Sequence, residues 1–252
     1  MKKHIPNFLT TLNLFSGCIG IIVAFQSRIE YAAYFIVIAA LFDFMDGMAA
    51  RLLHVKSEIG KELDSLADVV SFGVLPGIIV YQLMVVSPNT PEVGSFLSIF
   101  SLIAFIIPVL SAVRLAKFNL DTRQTTSFIG LPVPANALLL GSLPLIKMQA
   151  GYSDSFSWLT AITDNFYILA IIAIGMSLLL VSKIPLISLK FSNLKFTENK
   201  PQFILVAFSI IAFVLVTFSA IPLIILAYIL LSLIFKPASD SIEGTVSDKR
   251  VL

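Results

Sequence analysis

Four aspartates stand inside largely apolar, helix-forming sequence between positions 43 and 68, which reads DFMDGMAARLLHVKSEIGKELDSLAD. Asp43 and Asp46 are three residues apart and Asp64 and Asp68 four apart, and on a helix either spacing puts both side chains on one face. A short polar link containing Gly60 separates the pairs, so two acidic faces can fold against each other. Four carboxylates gathered in a low-dielectric site repel one another unless cations join them. Hard divalent ions held through oxygen meet that need, and Mg²⁺ or Mn²⁺ fits best, with two ions expected.

The residues between the acids suit phosphate chemistry. Gly47 has no Cβ and can admit a phosphate or a nucleotide close to the backbone. Ala50 keeps the same helix face thin, and Arg51 offers planar donors for charge-assisted hydrogen bonds to phosphate. Gly60 would let the third span begin close to the second. Asp68 is the deepest acid and the best candidate general base.

The elements that must position these groups are membrane helices. Of 252 residues 58% are hydrophobic and 13% charged, and mean hydropathy is +0.96, values of a polytopic membrane protein rather than of soluble domains. Apolar segments fall at roughly 9–26, 31–53, 62–86, 95–118, 130–147, 165–182, 202–217 and 219–236. Most reach the ~20 residues needed to cross the hydrocarbon core. The last two are short enough for a tight re-entrant hairpin, and a short interfacial helix from Pro6 could precede the first. The expected fold class is therefore all-α and polytopic, with about eight transmembrane helices. Residues 1–236 form a single membrane domain and 237–252 a polar, disordered tail.

Basic residues set the orientation. With eight spans, fifteen of the seventeen Lys and Arg residues fall on one side, leaving Arg28 and Lys147 on the other. That bias places both termini in the cytoplasm. It also sinks the acidic cluster about two turns below the cytoplasmic face, where intramembrane acids mark a functional site by default. The single cysteine, Cys18, excludes an intrachain disulfide and is expected to be a small buried hydrophobe. His4 and His54 are isolated, and neither is expected to be a ligand.

The pattern Asp43-x2-Asp46-Gly47-x2-Ala50-Arg51-x8-Gly60-x3-Asp64-x3-Asp68 resembles the signature of the CDP-alcohol phosphatidyltransferases, integral membrane enzymes that make phospholipids. Every position of that signature is present. The resemblance implies that the first three aspartates mainly hold metal and that Asp68 activates the acceptor hydroxyl. Three further stretches are similar to the phosphatidylserine synthase branch of the family: Ile5 to Asn13, Arg114 to Asn119, and Ser127 to Ala137. They imply a phosphatidyl transfer from CDP-diacylglycerol to L-serine, releasing CMP, on the cytoplasmic side of the cell inner membrane. They also imply substrate contacts from Asn7, Thr10, Arg114, Lys117 and Ser127. Arg114 and Lys117, three apart, could hold serine's carboxylate or the lipid phosphate. Membrane lipid is the expected surrounding partner, nucleic acid is not expected, and a homodimer is a possible assembly.

Bland alternatives exist for the outer motifs. Arg114 and Lys117 could be topology anchors, and Asn7, Thr10 and Asn13 could be interhelical hydrogen-bond glue. Another acceptor, glycerol 3-phosphate or inositol, would use the same acidic site. A divalent-cation transporter is a poorer fit, because the acids lie on one side only and nothing acidic continues outward.

Overall fold

The computed structural model describes residues 4–55, 57–91, 99–120, 128–152, 154–187 and 199–235. Ser127, Lys56 and the expected tail 237–252 lie outside the described residues. In chain order the elements are α1 (His4–Phe25), α2 (Ile29–Leu52), α3 (Glu58–Asp68), a π-helical segment (Val69–Val74) and α4 (Leu75–Val85). A 3₁₀ segment (Ile99–Phe105) leads into α5 (Ile106–Leu120), followed by β1 (Phe128–Ile129) and α6 (Val133–Tyr152). A second 3₁₀ segment (Asp154–Leu159) leads into α7 (Thr160–Thr163), then α8 (Phe166–Val181), β2 (Pro185–Leu186), α9 (Lys200–Val216) and α10 (Ala220–Ile234). The class is all-α, and the two short strands only pin a loop: Phe128 pairs with Leu186 and Ile129 with Pro185, antiparallel.

Each of the eight apolar segments is largely helical over its described residues. Five runs are long and apolar enough to cross a membrane: His4–Phe25, Ile29–Leu52, Glu58–Val85, Ile99–Leu120 and Lys200–Ile234. A sixth is added if Asp154–Thr163 and Phe166–Val181, bent by 71°, count together. The interfacial helix expected ahead of the first span is absent as a separate element, because α1 runs unbroken from His4. Pro6 falls in its first turn, where a missing N–H costs nothing.

The Glu58–Val85 run is the central one. Of its most apolar window 61% is buried, against 17% for Lys200–Ile234. Phe72, Leu75, Ile79, Leu83 and Met84 are fully buried, and α1, α2, α6 and α8 pack around them. α1 reaches this core with small and polar residues: after Pro6, its buried positions are Thr10, Asn13, Ser16, Gly17, Gly20 and Ala24. Small residues at such spacing let membrane helices approach closely. A Cβ on Gly17 would meet the side chain of Ser71 and lie 2.9 Å from its Cα. Cys18, expected to be buried, is exposed, because the stripe beside it makes the contact and turns Cys18 outward.

The π-helical segment has a local cause. Pro76 has no N–H to give, and in an α-helix its ring would clash with the carbonyl four residues back. The widened turn resolves this, with Leu75 N donating to Val70 O. A second break falls at Thr217, whose φ is 47°. There the Lys200–Ile234 run folds, α9 packs along α10, and Gln149 of α6 ties the turn. Gln149 Nε2 donates to Val216 O at 3.1 Å, and its Oε1 accepts from Ser219 Oγ at 3.3 Å.

Candidate active site

The link between the two acidic helices is fixed by its own backbone. Val55 N donates to Ala50 O and His54 N to Arg51 O, with His54 at φ 53°. This is a helix-terminating pair of bonds around a left-handed residue. Ser57 then caps α3, its Oγ accepting from Gly60 N at 3.1 Å, and Glu58 lies in the first turn, favourable for the helix dipole. This turn joins α2 to α3, and both helices pack on α1.

Asp43, Asp64 and Asp68 come together: each offers a carboxylate oxygen within 4.8 Å of the others. Asp68 is 7% exposed and Asp46 6% exposed, while Asp43 and Asp64 are half-buried. Asp64 Oδ1 is buried with no hydrogen-bond partner among the described residues. An orphaned buried oxygen among three carboxylates this close is costly unless a cation serves it. The donor set, all carboxylate oxygen, suits a hard divalent ion. Asp46 lies outside that trio and is held from α1: Thr10 Oγ1 donates to Asp46 Oδ2 at 2.6 Å. Asn13, one turn further along α1, donates from Nδ2 to Asp68 Oδ1 at 3.2 Å. Asn13 is fully buried, and its main-chain oxygen accepts from Ser71 Oγ at 3.0 Å.

Beside the acids opens a cavity of about 620 Å³. Its lining includes Asn7, Thr10, Asp46, Gly47, Ala50, Gly60 and Asp64, so seven of the singled-out positions share one space. A Cβ on Gly47 would meet nothing within 4 Å, so this backbone faces open space. Gly60 does not bring α3 close to α2, as its place in the sequence suggested. A Cβ there would meet Asn7 Oδ1 at 2.8 Å, so the close approach is to α1. Arg51 is exposed, with Nε donating to Gly47 O at 3.0 Å, and it does not line the cavity.

Arg114 is 8% exposed, with its guanidinium carbon 4.9 Å from the centroid of the Phe118 ring. It interacts electrostatically with Asp68 and with Tyr228 of α10. Lys117 is exposed, so the two cations that spacing puts on one face have different surroundings. Asn136, in the first turn of α6, is fully buried, and neither side-chain atom has a partner among the described residues.

Several features escape sequence reasoning. Lys61 Nζ donates to Asn119 O at 3.0 Å and Asn119 Nδ2 to Ser65 Oγ at 2.8 Å, stitching α3 to the end of α5. Tyr228 Oη donates to Ile187 O at 2.9 Å, bringing α10 to the loop after β2. Nothing in one sequence pairs residues so far apart. The contact of Asn13 with Asp68 did carry a signal, since Asn13 lies three residues after Thr10 on the same face of α1.

Comparison with known proteins agrees with this geometry. The CDP-alcohol phosphatidyltransferase family model matches residues 3–179. A CDP-diacylglycerol–serine O-phosphatidyltransferase of Helicobacter pylori (strain ATCC 700392 / 26695) is 32% identical over 204 residues, covering 80% of this chain and 77% of that one. One of Bacillus subtilis (strain 168) is 34% identical over 182 residues, covering 72% and 89%. One of Mycobacterium leprae (strain TN) is 33% identical over 189 residues, but the match spans only 57% of that protein's length and 72% of this chain. With the whole acidic motif and its cavity inside the matched region, the chain belongs to the CDP-alcohol phosphatidyltransferase family.

Proposed function

We propose that this protein transfers a phosphatidyl group from CDP-diacylglycerol to L-serine, giving phosphatidylserine and CMP. The observation that carries the reading is the trio of Asp43, Asp64 and Asp68 opening beside a cavity lined by the family's motif. The names of the relatives supply the acceptor, and the serine-branch stretches of the sequence point the same way. Asp43, Asp64 and Asp68 would hold Mg²⁺ or Mn²⁺, with Asp46 beside them. A bound ion supplies charge neutralisation for the diphosphate and polarisation of the phosphorus under attack.

The chain's own residues then divide the work. Asn7, Gly47, Ala50 and Gly60 shape the space for the nucleotide end of the donor, and Arg51 reaches its phosphates. Arg114, buried near Asp68, takes serine's carboxylate and turns the hydroxyl toward Asp68. Asp68 accepts the hydroxyl proton as the serine oxygen bonds to the phosphatidyl phosphorus. The bond from that phosphorus to the CMP oxygen breaks, and CMP leaves with that oxygen on its phosphate.

Eight spans with both termini cytoplasmic complete the proposal. The charge distribution supports it, and so does the break at Thr217. A straight helix of 35 residues would run roughly 50 Å, well beyond a hydrocarbon core of about 30 Å. Folded there, α9 and α10 become two short traverses. The acidic site then faces the cytoplasm, where CDP-linked and amino-acid substrates are found.

The deciding experiment is a CMP-release assay on detergent-solubilised protein with CDP-diacylglycerol and a panel of alcohols. Serine should be the efficient acceptor. Efficient use of glycerol 3-phosphate or inositol with no use of serine would refute the acceptor while leaving the reaction class.

A further inference from the structure

α1 touches the acidic site through more than its Asn7 and Thr10. Asn13 is wholly buried and its amide nitrogen lies 3.2 Å from Asp68 Oδ1. The amide must present its N–H₂ there, since its oxygen would face a carboxylate oxygen. The same residue is gripped from behind by Ser71 Oγ, which donates to the Asn13 carbonyl at 3.0 Å. Ser71 belongs to the π-helical segment that begins directly after Asp68. Such widened turns recur at functional sites. Gly17, one turn beyond Asn13, has no Cβ, and this lets α1 lie against Ser71. One buried residue thus bonds both the last acid of α3 and the turn that follows it.

We propose that Asn13 is a positioning residue for Asp68. By occupying Oδ1, it holds the carboxylate rotamer so that Oδ2 is the oxygen left for the acceptor's hydroxyl. The inference rests on Asp68 being the general base. Ser71, Gly17 and the π-turn support Asn13. A conventional α-helical turn after Asp68 would carry Ser71 to a different angle around the helix and away from the α1 backbone.

The test is a double-mutant cycle on the full-length, detergent-solubilised protein with saturating Mn²⁺, reading kcat and KM for serine and for CDP-diacylglycerol. Asn13→Ala should lower kcat about 10- to 100-fold, the usual loss when a residue orienting a site carboxylate is removed. Both KM values should stay within about threefold. Ser71→Ala, which keeps the packing, should lower kcat several-fold in the same pattern. In an Asp68→Asn background neither change should cost more than about twofold, because residues acting through one group are non-additive. A merely structural role would give additive losses and a lowered Tm. If Asn13→Ala does not fold, Ser71→Ala carries the cycle alone. Losses that multiply with that of Asp68→Asn, or an Asn13→Ala kcat within twofold of wild type, would overturn the positioning role alone. Normal turnover by Asp68→Asn would remove the base assignment and this inference together.

Discussion

The hydroxyl of Thr10 lies 2.6 Å from Asp46 Oδ2, and Pro6 O, at 3.1 Å, is the only other acceptor for its single hydrogen among the described residues. One helix turn separates Thr10 from Asn13, and the two reach one acid on α2 and one on α3. α1 is thus the common brace of the acidic site, holding acids that belong to different helices. A charge-assisted bond to a buried carboxylate is stronger than one between neutral groups.

Thr10→Val keeps the shape of the side chain and removes the donor. It should raise the Mn²⁺ concentration for half-maximal activity about 10-fold or more, in line with the loss of an orienting partner. Thr10→Ser should stay near wild type. Metal titrations of the two variants, run side by side, check this, and equal curves for valine and threonine would refute it.

If the trio of Asp43, Asp64 and Asp68 holds the proposed metal, activity depends on added metal. Chelation should abolish CMP release, and Mn²⁺ or Mg²⁺ should restore it. Asp64→Asn removes a charge from the trio and should shift the metal requirement upward, so that raised metal partly rescues it. Asp68→Asn should instead lose about 10²–10⁴-fold in kcat at any metal concentration, with CDP-diacylglycerol binding largely kept. Full transfer in metal-free buffer would end the metal reading.

Arg114 is buried and Lys117 is exposed, which separates their expected phenotypes. Arg114→Ala should raise KM for serine by at least 10-fold and leave KM for CDP-diacylglycerol within about threefold, the pattern of lost binding rather than lost chemistry. Arg114→Lys should not rescue, since a planar fork and a point charge bind a carboxylate differently. Lys117→Ala should have a small effect on either constant. A rise in the CDP-diacylglycerol KM alone would move Arg114 to the donor pocket.

The two motif glycines should fail differently. A methyl at Gly60 meets Asn7 Oδ1 and must displace that side chain, whereas one at Gly47 enters open space. Gly47→Ala should therefore fold with an unchanged Tm and raise the CDP-diacylglycerol KM, because it narrows only the space the donor needs. Gly60→Ala should raise the same KM through Asn7, and Asn7→Ala should relieve part of the added cost. Wild-type kinetics for Gly47→Ala would mean that the donor does not approach that backbone.

Topology is open to cysteine labelling in a Cys18→Ser background. Cysteines at Val55 and Ser57 should react only from the cytoplasmic side, and one at Asn89 only from outside. Asn89 Oδ1 accepts from Phe166 N at the start of α8, so the two turns must share a side. A cysteine at Asn165 should therefore label with Asn89. Labelling of Ser57 and Asn89 from one side would break the eight-span arrangement.

Sequence alone determined the class, the eight helical segments and the acidic signature, because each is written in local quantities. Apolar run length measures what a bilayer can accept. Spacings of three and four fix a helix face, and Gly47, Arg51 and the four aspartates sit within 26 residues of one another. Those local rules paired Asp43 with Asp46 and Asp64 with Asp68; the fold brought Asp43, Asp64 and Asp68 together and left Asp46 outside the trio. The tertiary structure decided everything that depends on distant residues meeting. It showed that Gly60 clears α1 rather than α2, that Thr10 and Asn13 brace separate acids, and that Arg114 is buried while Lys117 is not. It also showed Cys18 facing outward and a π-turn following Asp68. The physical reason is that an apolar membrane helix carries almost no amphipathic signal, since lipid and protein interior look alike to its side chains. Which face of α1 or α5 turns inward is then set by close packing at Gly17 and by hydrogen bonds at Asn13 and Asn119, and those exist only once the helices have assembled.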